Sequence, residues 1–230
     1  MDKYTDKKRK NQLLKSLIQE HVSEKTLERI EECNSFLLMI TDEKMTKEKL
    51  HKSNNCENRF CPICAYKKAR KNALQLSVMI DYIKNEYNKD FLFLTLTAPN
   101  VGALDLDSEI KKYNQSFKKL MERKEVKKVV KGYVRKLEVT YNKKRDDYHP
   151  HFHVILAVNK NYFKKSSEYI KQERWLELWR QSTKNPLITQ VDIRKIKFKD
   201  NKKEVSEIAK YSAKDSDYLQ DKKVFDVFYK

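Results

Sequence analysis

Apolar positions recur along this chain at two different spacings, and the change from one to the other falls at Phe91. Before it the spacing is helical. Leu13, Leu14, Leu17 and Ile18 form one stripe, and a second short helix opens with Ser23 as N-cap and carries Leu27, Ile30 and Cys33 on one side. Phe36 to Ile40 reads as a short buried strand, while Met45 to Asn55 is polar and without period. A long helix is predicted over Ala65 to Glu86, with Leu76, Ile80 and Ile83 along its apolar side.

From Phe91 the alternation of strands takes over. Phe91 to Thr97 is apolar and aromatic enough for a central strand, ended by Ala98-Pro99-Asn100. Asp107-Ser108 caps a helix bearing Ile110, Tyr113, Phe117, Leu120 and Met121 on one side. A strand over Gly132 to Tyr141, a polar loop and a strand over His151 to Val158 follow. Ser166-Ser167 opens a helix with Ile170, Trp175, Leu178 and Trp179 inward, Ile188 to Ile196 alternates as a strand, and a last helix starts near Lys203. The order β-α-β-β-α-β predicts an α+β, ferredoxin-like antiparallel sheet, with helices packed on one face and the other left open for a substrate.

Composition adds a partner. The chain has 230 residues, with 51 Lys+Arg against 33 Asp+Glu and a formal net charge of +18. Such an excess points to a polyanion, most simply nucleic acid. No apolar stretch is long enough to span a bilayer and no signal-peptide core opens the chain, so the expectation is a cytoplasmic protein without a membrane partner. Three regions are expected: residues 1–10 as a basic flexible arm around Lys7-Lys8-Arg9-Lys10, 11–88 as a helical region with a cysteine zinc site, and 89–230 as the sheet-bearing domain.

The chemistry gathers in Tyr148-His149-Pro150-His151-Phe152-His153-Val154-Ile155-Leu156. A strand sends alternate side chains to one face, so His151 and His153 stand side by side as a pincer for a divalent cation. Glu138, on the preceding strand, comes opposite one of them if the hairpin register has the right parity. An oxygen and nitrogen set of this kind suits Mn²⁺ or Mg²⁺. Cys56-x4-Cys61-x2-Cys64 with Cys33 supplies four thiolates for a closed, structural Zn²⁺ site, with His51 as the substitute if Cys33 lies too far away. Lys67, Lys68, Arg70 and Lys71, at the start of the long helix, form a DNA-facing cluster or a solvated face. In the last helix Glu207 and Tyr211 stand four apart on one side, with Lys214 three further on.

Phe93-Leu94-Thr95-Leu96-Thr97, His-Pro-His-Phe-His-Val-Ile-Leu and Glu207-x-x-Lys210-Tyr211-Ser212, in this order, resemble the three-motif signature of the HUH endonucleases. More narrowly, the stretch from Cys33 to Tyr218 is similar to the rolling-circle replication initiators (Rep proteins) of Gram-positive plasmids. The resemblance implies that Tyr211 attacks the scissile phosphate of origin DNA, stays joined to the 5′ end as a phosphotyrosine and frees a 3′-OH primer. His151 and His153 match the family's metal ligands, and Glu207 matches a glutamate that activates water for the terminating cleavage. Lys214 is placed to offset charge on the phosphate, His149 to position the pair, and Tyr218 to pack. The implied partners are the plasmid double-strand origin and the host helicase and DNA polymerase; whether the chain forms a homodimer is left open. A zinc-containing, non-enzymatic DNA-binding regulator is the alternative, and it would leave supercoiled origin plasmid intact with Mn²⁺. A relaxase or transposase of the same superfamily is another.

Overall fold

The structure is a computed structural model and describes residues 3–164, 168–197, 202–209 and 213–230. The chain divides into two compact units, residues 1–70 with 214–230, and residues 71–213. The expected division at residue 88 therefore moves to 70, within one helix. The last seventeen residues join the first unit and not the sheet-bearing one, because their apolar side chains find their partners there.

In the first unit, α1 (Lys3–Ile18) and α2 (Glu24–Glu31) bury Leu14, Ile18 and Ile30. Ser23 caps α2 as expected, accepting from the Thr26 amide. Residues 3–10 are helical, which corrects the flexible arm. Asp6 neutralises Arg9 and Lys10 one turn on, and Lys7 and Lys10 also reach Asp215, so the basic run is tied down on both sides. A hairpin of β1 (Leu37–Thr41) and β2 (Glu48–Ser53) follows. The expected strand is there but is exposed at every position, and its partner β2 gave no periodic signal because neither of its faces is covered. At the C terminus, α8 (Asp215–Tyr218) and α9 (Lys222–Tyr229) pack Tyr218 and Phe225 against Phe60 and bury Val224. The Tyr218 hydroxyl donates to the Phe60 carbonyl at 2.9 Å, so this phenol is structural.

The second unit contains β3 (Lys89–Leu96), α4 (Leu106–Glu122), α5 (Lys124–Val129), β4 (Val130–Asn142), β5 (Asp147–Asn159), α6 (Gln172–Thr183), β6 (Val191–Lys195) and α7 (Lys202–Ala209), and it takes in the second part of α3 (Pro62–Glu86). The four strands form one sheet in the order β4-β5-β3-β6, antiparallel at each pairing. Helix α4 starts at Leu106, a little before the expected cap. Helix α6 starts at Gln172; the expected opening at Ser166-Ser167 lies outside the described residues.

Strand alternation sorts the sheet residues into two cores. Leu92, Leu94, Phe152, Val154 and Leu156 point to one side, where Phe117 and Leu120 of α4, Val126 of α5 and Trp175 and Trp179 of α6 cover them. Trp179 anchors the layer by donating its Nε1–H to the Thr97 carbonyl at 2.8 Å. Phe91, Phe93, Ile155 and Ala157 point to the other side and meet Leu76 and Ile80 of α3 and Val205 and Ile208 of α7. The expectation of helices on one face only is thus corrected. Two helices cover this second face where its side chains are apolar, since exposed Phe and Ile would forfeit about 1.5–3 kcal/mol each. Along β5 that cover gives way to His153, His151 and His149.

Candidate metal centres

The short connection between β4 and β5 decides the first site. Asn142 Oδ1 accepts from the amides of Lys144 and Arg145, Asp146 adopts φ 51°, and Tyr141 donates to the Asp146 carboxylate. This tight turn fixes the register so that Glu138 pairs with His151, Lys136 with His153 and Thr140 with His149. All six project to the same face. The parity condition on Glu138 is met.

Glu138 is 3% exposed, and its Oε2 lies 3.1 Å from His153 Nε2 and 3.7 Å from His151 Nε2. One donor atom from each of the three falls within 4.8 Å of the others. The rings cross nearly at right angles, 4.8 Å between centroids, so their Nε2 atoms converge on one carboxylate oxygen. The opposite nitrogens are engaged. His151 Nδ1 lies 3.2 Å from the His149 carbonyl oxygen, and His153 Nδ1 lies 3.4 Å from Thr95 Oγ1, with Phe93 stacked on the His153 ring. Nδ1–H donated to those oxygens leaves each Nε2 with a lone pair aimed at the carboxylate. Such a lone pair so close to a carboxylate oxygen requires a proton or a cation in between.

Burial pushes the Glu138 carboxyl up, but hydrogen bonds from His151 and His153 and their charge outweigh it and hold the group well below the usual carboxylate range. Burial pushes His149 down, and the neighbouring His151 charge pushes it further. A two-histidine, one-carboxylate set fits a divalent cation that keeps positions open for water or phosphate oxygen. The sequence pattern alone does not mark Thr95 as a ring-positioning group; its place two residues after Phe93 in an alternating strand puts it on the histidine face, paired with His153.

Of the remaining candidates, Glu207 is half-buried on α7, the helix whose Val205 and Ile208 pack on this same sheet face. Tyr211 lies outside the described residues. Lys214 does not continue α7. Its backbone is extended (φ −81°, ψ 142°), it is exposed at the start of α8, and it belongs to the first unit. The expected place of Lys214 in the last helix is therefore corrected.

The second cluster lies in the first unit. Cys33 Sγ is 3.5 Å from Cys64 Sγ and 3.7 Å from Cys61 Sγ, and Cys56 Sγ is 3.6 Å from Cys64 Sγ. Four sulfurs around a tetrahedral zinc at about 2.3 Å would be about 3.8 Å apart, so the set fits that ion. Cys33 supplies the fourth corner; His51 is on the exposed hairpin strand and has no part in the cluster. The sulfur of Cys33 pushes the thiols of Cys56 and Cys61 far up, while hydrogen bonding from Cys56 and Cys33 respectively holds Cys33 and Cys64 down. Four thiolates at this spacing require a cation.

The basic start of α3 is only partly free. Lys67 Nζ donates to Asn34 Oδ1, Ser53 Oγ and Asn55 Oδ1 at 2.7–2.9 Å, so it braces the β-hairpin. Lys68, Arg70 and Lys71 are exposed, with Arg70 over the Tyr66 ring.

Comparison with known proteins adds a relationship. The family described as Replication protein (Rep_1) matches residues 47–230. The chain is 56% identical over 222 residues to the protein named Protein rep of Staphylococcus aureus, covering 96% of each. It is 37% identical over 218 residues to the Protein rep of Bacillus amyloliquefaciens, covering 88% of this chain and 64% of that protein. With the Protein rep of Streptococcus pneumoniae it shares 38% over 195 residues, 83% of this chain and 61% of that protein. No solved structure matches.

Proposed function

This chain belongs to the Replication protein family, and from that premise we propose that it is a plasmid rolling-circle initiator that nicks one strand of origin DNA. The observation that carries the reading is the convergence of Glu138, His151 and His153 on a sheet face in a chain of net charge +18. On this reading the sheet order β4-β5-β3-β6 is the ferredoxin-like arrangement of the HUH endonucleases. A Mn²⁺ or Mg²⁺ ion held by these three residues would polarise a phosphoryl oxygen of the scissile diester.

The chain's own groups do the rest. The Tyr211 hydroxyl attacks phosphorus; a P–O bond to the phenol oxygen forms, the P–O3′ bond breaks, and the phenolic proton passes to solvent. The departing oxygen takes up a proton and becomes the 3′-OH primer for the host polymerase, with the host helicase opening the duplex. In termination Glu207 accepts a proton from the water that cleaves the regenerated origin; the P–O3′ bond there breaks, and the freed 3′-OH attacks the phosphotyrosine and displaces the Tyr211 phenol, so the protein is not left joined to DNA. Lys214 offsets charge on the phosphate in the attacking state. Lys68, Arg70 and Lys71 attract the DNA backbone without reading bases. The Cys33-Cys56-Cys61-Cys64 cluster holds Zn²⁺ and keeps the first unit folded.

The test is mass spectrometry of the protein incubated with an origin oligonucleotide and Mn²⁺. The parent protein gains a covalent nucleotide mass on the peptide containing Tyr211, and Tyr211→Phe gains none while still binding the origin. An adduct at parental level in that variant, or an intact supercoiled plasmid after incubation with the parent, overturns the reading.

A further inference from the structure

Strand β1 exposes more apolar surface than a soluble surface strand ordinarily does. Leu37, Leu38, Met39 and Ile40 are 42–51% exposed, and among the described residues β1 pairs with β2 alone in a two-stranded sheet. Consecutive large aliphatic residues normally mark a strand covered on both faces.

The two edges of this ribbon differ. The outer edge belonging to β2 carries Glu48, Lys49, His51 and Lys52, and His51 forms a bulge where the register steps from Lys52 to Leu50. Charge and bulges are the means by which proteins block further strand pairing. From Leu37 to Ile40, the β1 edge has no charge, no proline and no extra residue. One edge is guarded and the other is bare.

The ribbon is also held stiffly. Asp42 closes its tip by accepting from the amides of Thr46 and Lys47 at 2.7 and 3.1 Å. Its base is tied by Phe36 donating to Asn54 Oδ1, by Asn34 donating to the Asn54 carbonyl, and by the three bonds of Lys67. The two chain ends run directly to Cys33 and Cys56 of the cysteine cluster. An apolar edge fixed in this way is organised in advance for a partner.

Charge selects which partner. Between Phe36 and Asn55, Lys44, Lys47, Lys49 and Lys52 face Asp42, Glu43 and Glu48, so the hairpin is nearly neutral in a chain of +18. A ribbon that bound duplex DNA would need a cationic excess to displace counterions. Protein interface cores are instead depleted in charge. A second copy of this chain meets little repulsion here, and antiparallel pairing about Met39 sets Leu38 beside the partner's Ile40, which is the self-complementarity a two-fold axis requires.

We propose that β1 is a dimerisation edge, along which two copies of this chain pair antiparallel to make a four-stranded sheet.

Sedimentation equilibrium of the full zinc-loaded chain across the micromolar range tests this. The expected result is a dimer that strengthens as salt screens the repulsion between the two +18 chains. The double substitution Leu38→Lys and Ile40→Lys abolishes it, with zinc content and circular dichroism unchanged, and Lys49→Glu on the guarded edge leaves it intact. Met39→Cys, at the two-fold centre, links into a disulfide dimer on mild oxidation, since antiparallel pairs place Cα atoms about 4.5–5.5 Å apart. A parent protein that stays monomeric, a dimer that survives both lysines, or the absence of that cross-link overturns the proposal. So does a monomer whose affinity for duplex DNA falls with the lysine pair, which would assign the ribbon to nucleic acid.

Discussion

Replacing Glu138 with glutamine tests the metal centre at the atom on which it converges. The change keeps the side chain's shape and its position opposite His151, but removes the only negative charge among the three donors. At 3% exposure water contributes little screening. A unit charge about 4 Å from a cation at an effective dielectric near 20 is worth about 4 kcal/mol, whereas an exposed carboxylate would contribute no more than about 1 kcal/mol. Four kcal/mol is roughly a thousandfold in dissociation constant. Titration calorimetry or electron paramagnetic resonance with Mn²⁺ should therefore show Glu138→Gln losing at least about a thousandfold in affinity. A thermal melt of the metal-free variant checks that the fold survives. If the variant bound Mn²⁺ within tenfold of the parent, the buried carboxylate would not be a ligand and the site would have to be sought elsewhere.

Three further outcomes follow from the same chemistry. Because the Glu138 carboxyl lies below its ordinary value in the folded metal-free protein, its contribution to stability is fully present above the unfolded value of about 4.3. That contribution is lost as pH falls through the lower folded value, so acid melts of the metal-free parent and Glu138→Gln should differ near pH 5 and converge in stronger acid. Glu207→Gln should leave nicking intact and slow termination, seen on gels as accumulated multimeric plasmid; normal monomer circles in the variant would remove the glutamate from that step. Cys61→Ser should lose zinc, and with it on the order of 10 kcal/mol of apparent binding energy, comparable to the stability of a whole domain. Hydrogen exchange should then show lost protection in α2 and around Phe60 to Cys64, and a fully protected, zinc-free variant would contradict the structural role.

The sequence by itself determined what depends on neighbours along the chain. Strand alternation put His151 and His153 on one face and Phe152 and Val154 on the other, because a pleated strand allows no other arrangement. The cysteine spacing and the succession of strands and helices after Phe91 were legible for the same local reason. Only the tertiary structure decided what depends on residues distant in the chain. The β4–β5 register brought Glu138 to the histidines, and packing brought Cys33, not His51, to the other three sulfurs. Tertiary contacts likewise turned Lys67 into a brace, tied residues 3–10 down as helix, laid α3 and α7 over the second sheet face and left β1 bare. Periodicity tells a residue which way it faces within its own element, but not which other element stands opposite. That second choice follows from competition for apolar cover and for polar partners across the folded chain.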